Sequence, residues 1–165
     1  MRSALKVLFN KNRRITKLAK ALGIKLSSRR PRDSYMWDGR SIATGGQSVT
    51  DVLHDIAHWL IASPERRKVV DFGLGPGPES GLREEAYEAR IRSNDSAEEE
   101  ICASLLGISL EAAFGFDIRR TLEEHGWNNN SSGPEGDFWR VIKKLNDLKM
   151  LHGSTPAVME MVRDK

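Results

Sequence analysis

Apolar residues recur at helical spacing along most of the chain, and one stretch departs from it toward alternation. Leu5, Leu8 and Phe9 mark segment 3–10, while Ile15, Leu18 and Leu22 mark 14–22, where Gly23 is placed to act as a C-cap. Residues 27–33 (Ser-Ser-Arg-Arg-Pro-Arg-Asp) read as a linker. Tyr35 to Thr44 alternates about Asp38-Gly39, which predicts a small hairpin or two short strands. Gly45-Gly46 ends that run, and Ser48 followed by Asp51 has capping-box spacing for a helix reaching about Ala62. Ser63-Pro64 predicts a stop and a restart, with Ser63 as N-cap and Pro64 at the first helical position. Phe72 to Gly81 is too rich in Gly and Pro for regular structure. Helical patterns resume at 82–92, from Ser96 to Leu106 or beyond, at 109–125 and at 137–151, with 128–136 as a loop. The pattern predicts an α+β domain, mainly helical, with a small sheet.

Composition narrows the class. A chain of 165 residues, 39% hydrophobic and 30% charged, suits one globular domain with a real core. Cys102 is the only cysteine, which excludes an internal disulfide framework and a thiolate zinc cluster. A reducing, cytoplasmic setting is the default expectation from that cysteine usage. No apolar run approaches the roughly 18 residues of a membrane helix, and the basic N-terminus lacks the apolar stretch of a secretory signal, so no membrane is expected.

The net charge of +3 is unevenly placed: every charged residue before Asp33 is basic. The expected division is therefore a basic helical arm with linker at 1–33 and the domain proper at 34–165. Residues 1–32 either face an acidic partner, such as nucleic acid or the ribosome, or form a solvated helix pair packed on the domain by its Leu and Ile residues. The arm has no aromatic interleaving for base stacking, which favours the second reading.

The chemistry gathers at His54 and His58. Two imidazoles at i and i+4 project from one helical face and can converge on one ion, but two ligands alone hold a metal weakly. A carboxylate from a later helix would complete a His-His-Glu zinc site or a two-histidine, one-carboxylate iron site. Glu98 is the leading candidate, because it shares a helical face with Ile101, Cys102 and Leu105, and a carboxylate on a buried stripe must be paired, protonated or metal-bound. Glu99 fits a capping box with Ser96, Glu100 fits a solvent-facing charge, and Glu88 is the alternative ligand. His125, before Gly126 at an expected helix end, and His152 are weaker candidates.

Asp55 is the candidate catalytic residue. In zinc peptidases of the H-E-x-x-H type the residue after the first histidine is a Glu that polarises the metal-bound water. Asp is one methylene shorter, and losing a positioned base costs about 10²–10⁴-fold. The substitution argues against an efficient peptidase without arguing against metal binding.

The run Leu53-His54-Asp55-Ile56-Ala57-His58-Trp59, followed by Ile61-Ala62, Glu65-Arg66-Arg67 and Val70-Asp71-Phe72-Gly73, resembles the elongation factor P hydroxylase family, which carries Glu at the position of Asp55. The resemblance implies a zincin-like fold with a small β-sheet against the metal-binding helix, and a metal held by two histidines and a glutamate. It also implies a reaction like that of a non-haem iron monooxygenase, hydroxylating a modified lysine on a translation factor. Carried over by position, His54, His58 and Glu98 are the implied ligands, and Arg66, Arg67 and Asp71 form a buried charge network behind the metal helix. Leu74-Gly75-Pro76-Gly77-Pro78 replaces an aromatic stretch of the family, and the basic arm lies outside the resemblance. A more distant likeness runs to gluzincin metallopeptidases.

Three functions follow as expectations. The first is a metal-dependent hydroxylase acting on a protein side chain, with Fe(II) favoured and Zn(II) or Mn(II) open to the same ligands, and Asp55 orienting a ligand or water. The second is a zinc hydrolase of gluzincin type with Asp55 as its base. The third is a non-catalytic metal-containing protein that uses its basic arm on nucleic acid or the ribosome.

Overall fold

The structure, a computed structural model, describes residues 13–31, 35–74 and 93–124. The helices expected at 3–10, 82–92 and 137–151, together with Glu88, His125 and His152, lie outside them. Helix α1 (13–21) ends where the sequence predicts. Gly23 takes φ +76°, Ile24 N–H donates to the Ala19 carbonyl and Gly23 N–H to that of Lys20, the paired bonds of a left-handed glycine cap. Ile15, Ala19 and Ile24 are buried, while Arg13, Arg14, Lys17 and Lys20 face solvent.

Strand β1 (Lys25–Ser27) pairs in parallel with β2 (Ser41–Ala43), Leu26 opposite Ile42. Of the hairpin or two short strands expected over Tyr35–Thr44, β2 forms, and its edge away from β1 carries an antiparallel bridge of Trp37 to Ile42, with Ala43 N–H donating to the Met36 carbonyl at 2.8 Å. The expected linker thus begins one residue late, Ser27 being in the sheet. Asp38 builds the intervening turn, its Oδ1 accepting from the Arg40 and Ser41 N–H groups at 2.9 and 2.7 Å. Gly39, at φ +82°, has its Cα so near the Lys68 carbonyl that a Cβ would lie 2.7 Å from that oxygen.

Helix α2 (Val49–Ile61) starts with the anticipated capping box: Ser48 Oγ accepts from Asp51 N–H at 3.1 Å and Asp51 Oδ2 from Ser48 N–H at 2.8 Å. The restart after Ser63 is only a 3₁₀ turn, Arg66–Lys68, followed by a second, Val70–Gly73, in which Asp71 and Phe72 have positive φ. Consecutive left-handed residues cannot continue a helix. Helix α3 (Ser93–Ala113) is longer than expected, and ends at Gly115, φ +73°, through the same cap geometry as α1, Phe116 N–H reaching the Glu111 carbonyl. Helix α4 (Arg119–Glu124) is the remainder of the helix expected at 109–125.

Two apolar clusters meet on α2. Leu53 and Ile56 enter one with Ile15, Trp37, Ile42 and Phe72, while Ala57 enters the other with Cys102, Leu105, Leu106, Ile118 and Leu122. Fully burying a side chain of the Leu or Ile kind contributes about 1.5–3 kcal/mol. Cys102, Ala103 and Leu105 to Ser109 are all buried, so α3 is enclosed on nearly every side there. The described fold is thus mainly helical with a two-stranded parallel sheet. Among the described residues, no helix is long and apolar enough to cross a membrane.

Candidate metal centre

Helical geometry puts His54 and His58 on one face of α2, and the packing of α2 on α3 supplies their partner. His54 Nε2 and His58 Nε2 are 3.0 Å apart, and the Glu100 carboxylate from α3 lies 3.3 Å from the first and 3.2 Å from the second. An ion bonded to such donors at about 2.0–2.2 Å requires them to stand about 3.0–3.5 Å from one another, for angles between 90° and tetrahedral. The separations fit that requirement. Among the described residues, His54, His58 and Glu100 form a group whose donor atoms all lie within 4.8 Å of one another.

Glu98, the ligand expected from the sequence, is half-buried on α3 and stands outside this group. Ala103 and Gly107 lie three and seven residues after Glu100, on its own helical face, and they explain the choice. A Cβ at Gly107 would come within 3.3 Å of the His54 Cα, so the helices meet there backbone to backbone. Glu100 faces the imidazoles across that narrow gap, although its side chain is 52% exposed. The small residues at 103 and 107 were the available signal. Glu99, read as a capping residue, is instead buried, because α3 is already under way at Ser93 and Ser96 does not begin it.

The far side of His58 is equally occupied. Its Nδ1 lies 3.3 Å from Glu99 Oε1, and Arg66 donates to both oxygens of that carboxylate, at 2.6 and 2.8 Å. Arg66 Nε also donates to the Phe72 carbonyl at 2.9 Å. The Phe72 ring stacks on His58 at 5.8 Å and on Trp37 at 5.3 Å. Arg67 donates to the carbonyls of Trp59 and Leu60 at the end of α2 and lies over the Trp59 ring, where a cation meets the negative helix terminus. Both arginines therefore stand behind the metal helix, but only Arg66 grips a carboxylate, that of Glu99, while Asp71 supplies a left-handed turn residue whose carboxyl feels the charges of His58, Glu99 and Glu100.

The charges are strongly coupled. Burial alone would discourage a charged ring at His58, but hydrogen bonds donated to Glu100 and Glu99 outweigh it and raise its pKa to about 9. Burial opposes the ionised Glu100 as well, yet contact with both histidines holds it well below the usual carboxylate range. Glu99 is held low in the same way, by His58 and Arg66 against its burial. Asp55 is 9% exposed and its Oδ2 is buried without a hydrogen-bond partner among the described residues. Burial, aided by Asp71, Glu100 and Asp51 and opposed by His58, pushes its pKa up to about 7. With His54 it borders a recess of about 400 Å³, also lined by Pro31, Met36, Gln47, Thr50 and Asp51.

Two imidazoles and a carboxylate converging from two packed helices define a candidate mononuclear metal centre. The sequence comparisons add a family to this class. Residues 35–96 match the family described as elongation factor P hydroxylase. The elongation factor P lysine hydroxylase of Haemophilus influenzae (strain ATCC 51907 / DSM 11121 / KW20 / Rd) is 40% identical over 85 residues, which are 52% of this chain and 44% of the relative. Together these matches support the elongation factor P hydroxylase family for the part of the chain that carries both histidines. The chain spans less than half the length of that relative. No solved structure matches the chain.

Proposed function

We propose that this chain is a metal-dependent hydroxylase acting on a protein side chain, with His54, His58 and Glu100 as the residues that would hold iron(II). The observation that carries the reading is the convergence of three donor atoms within 4.8 Å, two of them from histidines inside the segment that matches the hydroxylase family. Two nitrogens and one carboxylate are the donor set of oxygen-activating iron sites. Iron(II) bound there would supply the dioxygen chemistry that inserting an oxygen atom into a C–H bond requires. The chain's own residues bind and orient. The recess beside His54 has room for an extended side chain. Asp51 and Asp55 on its wall suit an amine-bearing substrate. By the name of its relative, the substrate is a lysine of elongation factor P.

The test is to incubate the purified chain with Fe(II) and a lysine-modified elongation factor P in air and without oxygen, reading the partner by intact mass. A gain of one oxygen atom only in air supports the reading. Chelator-sensitive hydrolysis that proceeds without oxygen, in zinc-loaded protein, would replace it with the gluzincin reading.

A further inference from the structure

Glu99 and Glu100 are neighbours in sequence, yet they meet opposite nitrogens of one ring. Glu100 stands 3.2 Å from His58 Nε2, whereas Glu99 stands 3.3 Å from Nδ1. They differ in access too, Glu100 being 52% exposed and Glu99 7%. A neutral imidazole has one donor and one acceptor nitrogen, and the partner of one fixes the role of the other. Glu99 already accepts from two Arg66 nitrogens and is a pure acceptor, so the Nδ1 proton of His58 points to it. Once an ion displaces the Nε2 proton, the lone pair left on that nitrogen faces His54 and Glu100.

Arg66 reaches two of the groups that contact this ring, Glu99 and Phe72. Its terminal nitrogens grip Glu99, and its Nε holds the carbonyl of Phe72, whose ring stacks on His58 at an interplanar angle of 19°. Phe72 sits at φ +54°, a backbone region unfavourable for a bulky residue, and one that persists only where the surroundings fix it. The guanidinium is the group that ties this turn to α3. Its positive charge also allows a second carboxylate to lie buried next to Glu100.

We infer that Arg66 and Glu99 are positioning residues for the metal centre: the pair directs His58 Nε2 toward the ion, and Glu99 itself is not a ligand. This rests on the metal reading above. The test uses the full chain and Co(II), whose visible absorption reports both affinity and coordination, in wild type, Glu99→Gln, Arg66→Gln, Arg66→Lys and the double variant Arg66→Gln/Glu99→Gln. Orienting partners of metal-bound histidines typically contribute about 10–100-fold in affinity. Each of the two single Gln variants is expected to bind Co(II) weaker by that factor, with unchanged absorption bands. The double variant should be no worse than the weaker single one, and Arg66→Lys, which keeps the charge and one donor, should recover part of the loss. Urea unfolding of each metal-free variant separates loss of fold from loss of orientation, and Arg66→Lys keeps the test open should a Gln variant not fold. Unchanged affinity in Glu99→Gln, losses that multiply in the double variant, or altered bands that mark Glu99 as a ligand each overturn the inference while leaving the metal reading intact. A wild-type chain that takes up no Co(II) overturns both.

Discussion

Gly107 on α3 stands against the backbone of His54 on α2, its Cβ position only 3.3 Å from the His54 Cα and 3.4 Å from its N. The contact sets how closely the two helices approach and so whether Glu100 reaches the histidines. Gly107→Ala would gain about 1 kcal/mol of helix propensity, but the methyl group would meet main chain in the core, where overpacking costs about 1–3 kcal/mol. His54 cannot yield, since Leu53 beside it is fully buried. The expected net result is a lower thermal midpoint and metal affinity reduced at least tenfold. A Gly107→Ala protein that melts higher and binds metal normally would show that the helix spacing is not critical.

Glu98 and Glu100 should separate cleanly in metal uptake. Glu100→Gln removes a charged donor facing both histidines, and His58→Ala removes a ring that is 4% exposed. Each is expected to lower the metal content of purified protein to background, measured by elemental analysis after dialysis. Glu98→Gln is expected to retain full content, because Glu98 lies outside the converging group. Loss of metal in Glu98→Gln with retention in Glu100→Gln would restore the assignment drawn from sequence.

That contrast shows where sequence reasoning ends. The Ser48–Asp51 capping box and the Gly23 cap are local chemistry, so the start of α2 and the end of α1 follow from a few adjacent residues, whereas Gly115 ends α3 inside a segment, 109–125, whose pattern reads as one helix. The two histidines are legible for the same reason, being one turn apart. The third donor depends on which face of α3 meets α2. Because α3 is enclosed on nearly every side between Cys102 and Ser109, its apolar residues mark no single stripe, and a hydrophobic-face argument cannot rank Glu98, Glu99 and Glu100. The parallel pairing of β1 with β2 and the left-handed Asp71-Phe72 turn are likewise set by distant contacts, with no glycine at 71 or 72 to announce the turn.

The metal-free protein should be most stable on the acid side of neutrality. Asp55 and Asp71 have folded pKa values raised to about 7, mainly by burial, above an ordinary value near 4. The folded state therefore holds those protons more tightly, and stability falls as pH rises from about 4 to 7. His58, raised to about 9, contributes stability that is fully present below its ordinary value of about 6.5 and is lost as pH rises through 9. Glu99 and Glu100, held low, act oppositely, contributing above about 4.3 and losing that contribution as pH falls through their folded values. The midpoint of melting in chelator should thus peak near pH 5 and decline toward pH 9. Bound metal needs His58 without its Nε2 proton, so binding should release about one proton and its advantage should grow with pH up to about 9. Calorimetric titrations in buffers of different ionisation enthalpy count that proton. A melting curve flat from pH 5 to 9 would contradict the charge arrangement.

Asp55 offers the sharpest separation of stability from function. Its carboxylate is buried with one oxygen unpartnered, yet it borders the recess beside His54. Such a group weakens the fold at neutral pH, where part of it must ionise without full solvation. If it handles a proton or orients substrate, removing its charge should stabilise and inactivate together. Asp55→Asn is expected to raise the melting midpoint at pH 8, to leave metal content unchanged, and to reduce turnover by about 10²–10⁴-fold. Asp55→Glu tests the other direction, since the longer side chain must find room in a packed interior, and it should cost stability by about 1–3 kcal/mol. Paired melting and turnover measurements on the two variants decide the matter. Unchanged turnover in Asp55→Asn would reduce Asp55 to a wall of the recess, and the catalytic work would then have to reside in the three donors and whatever substrate they face.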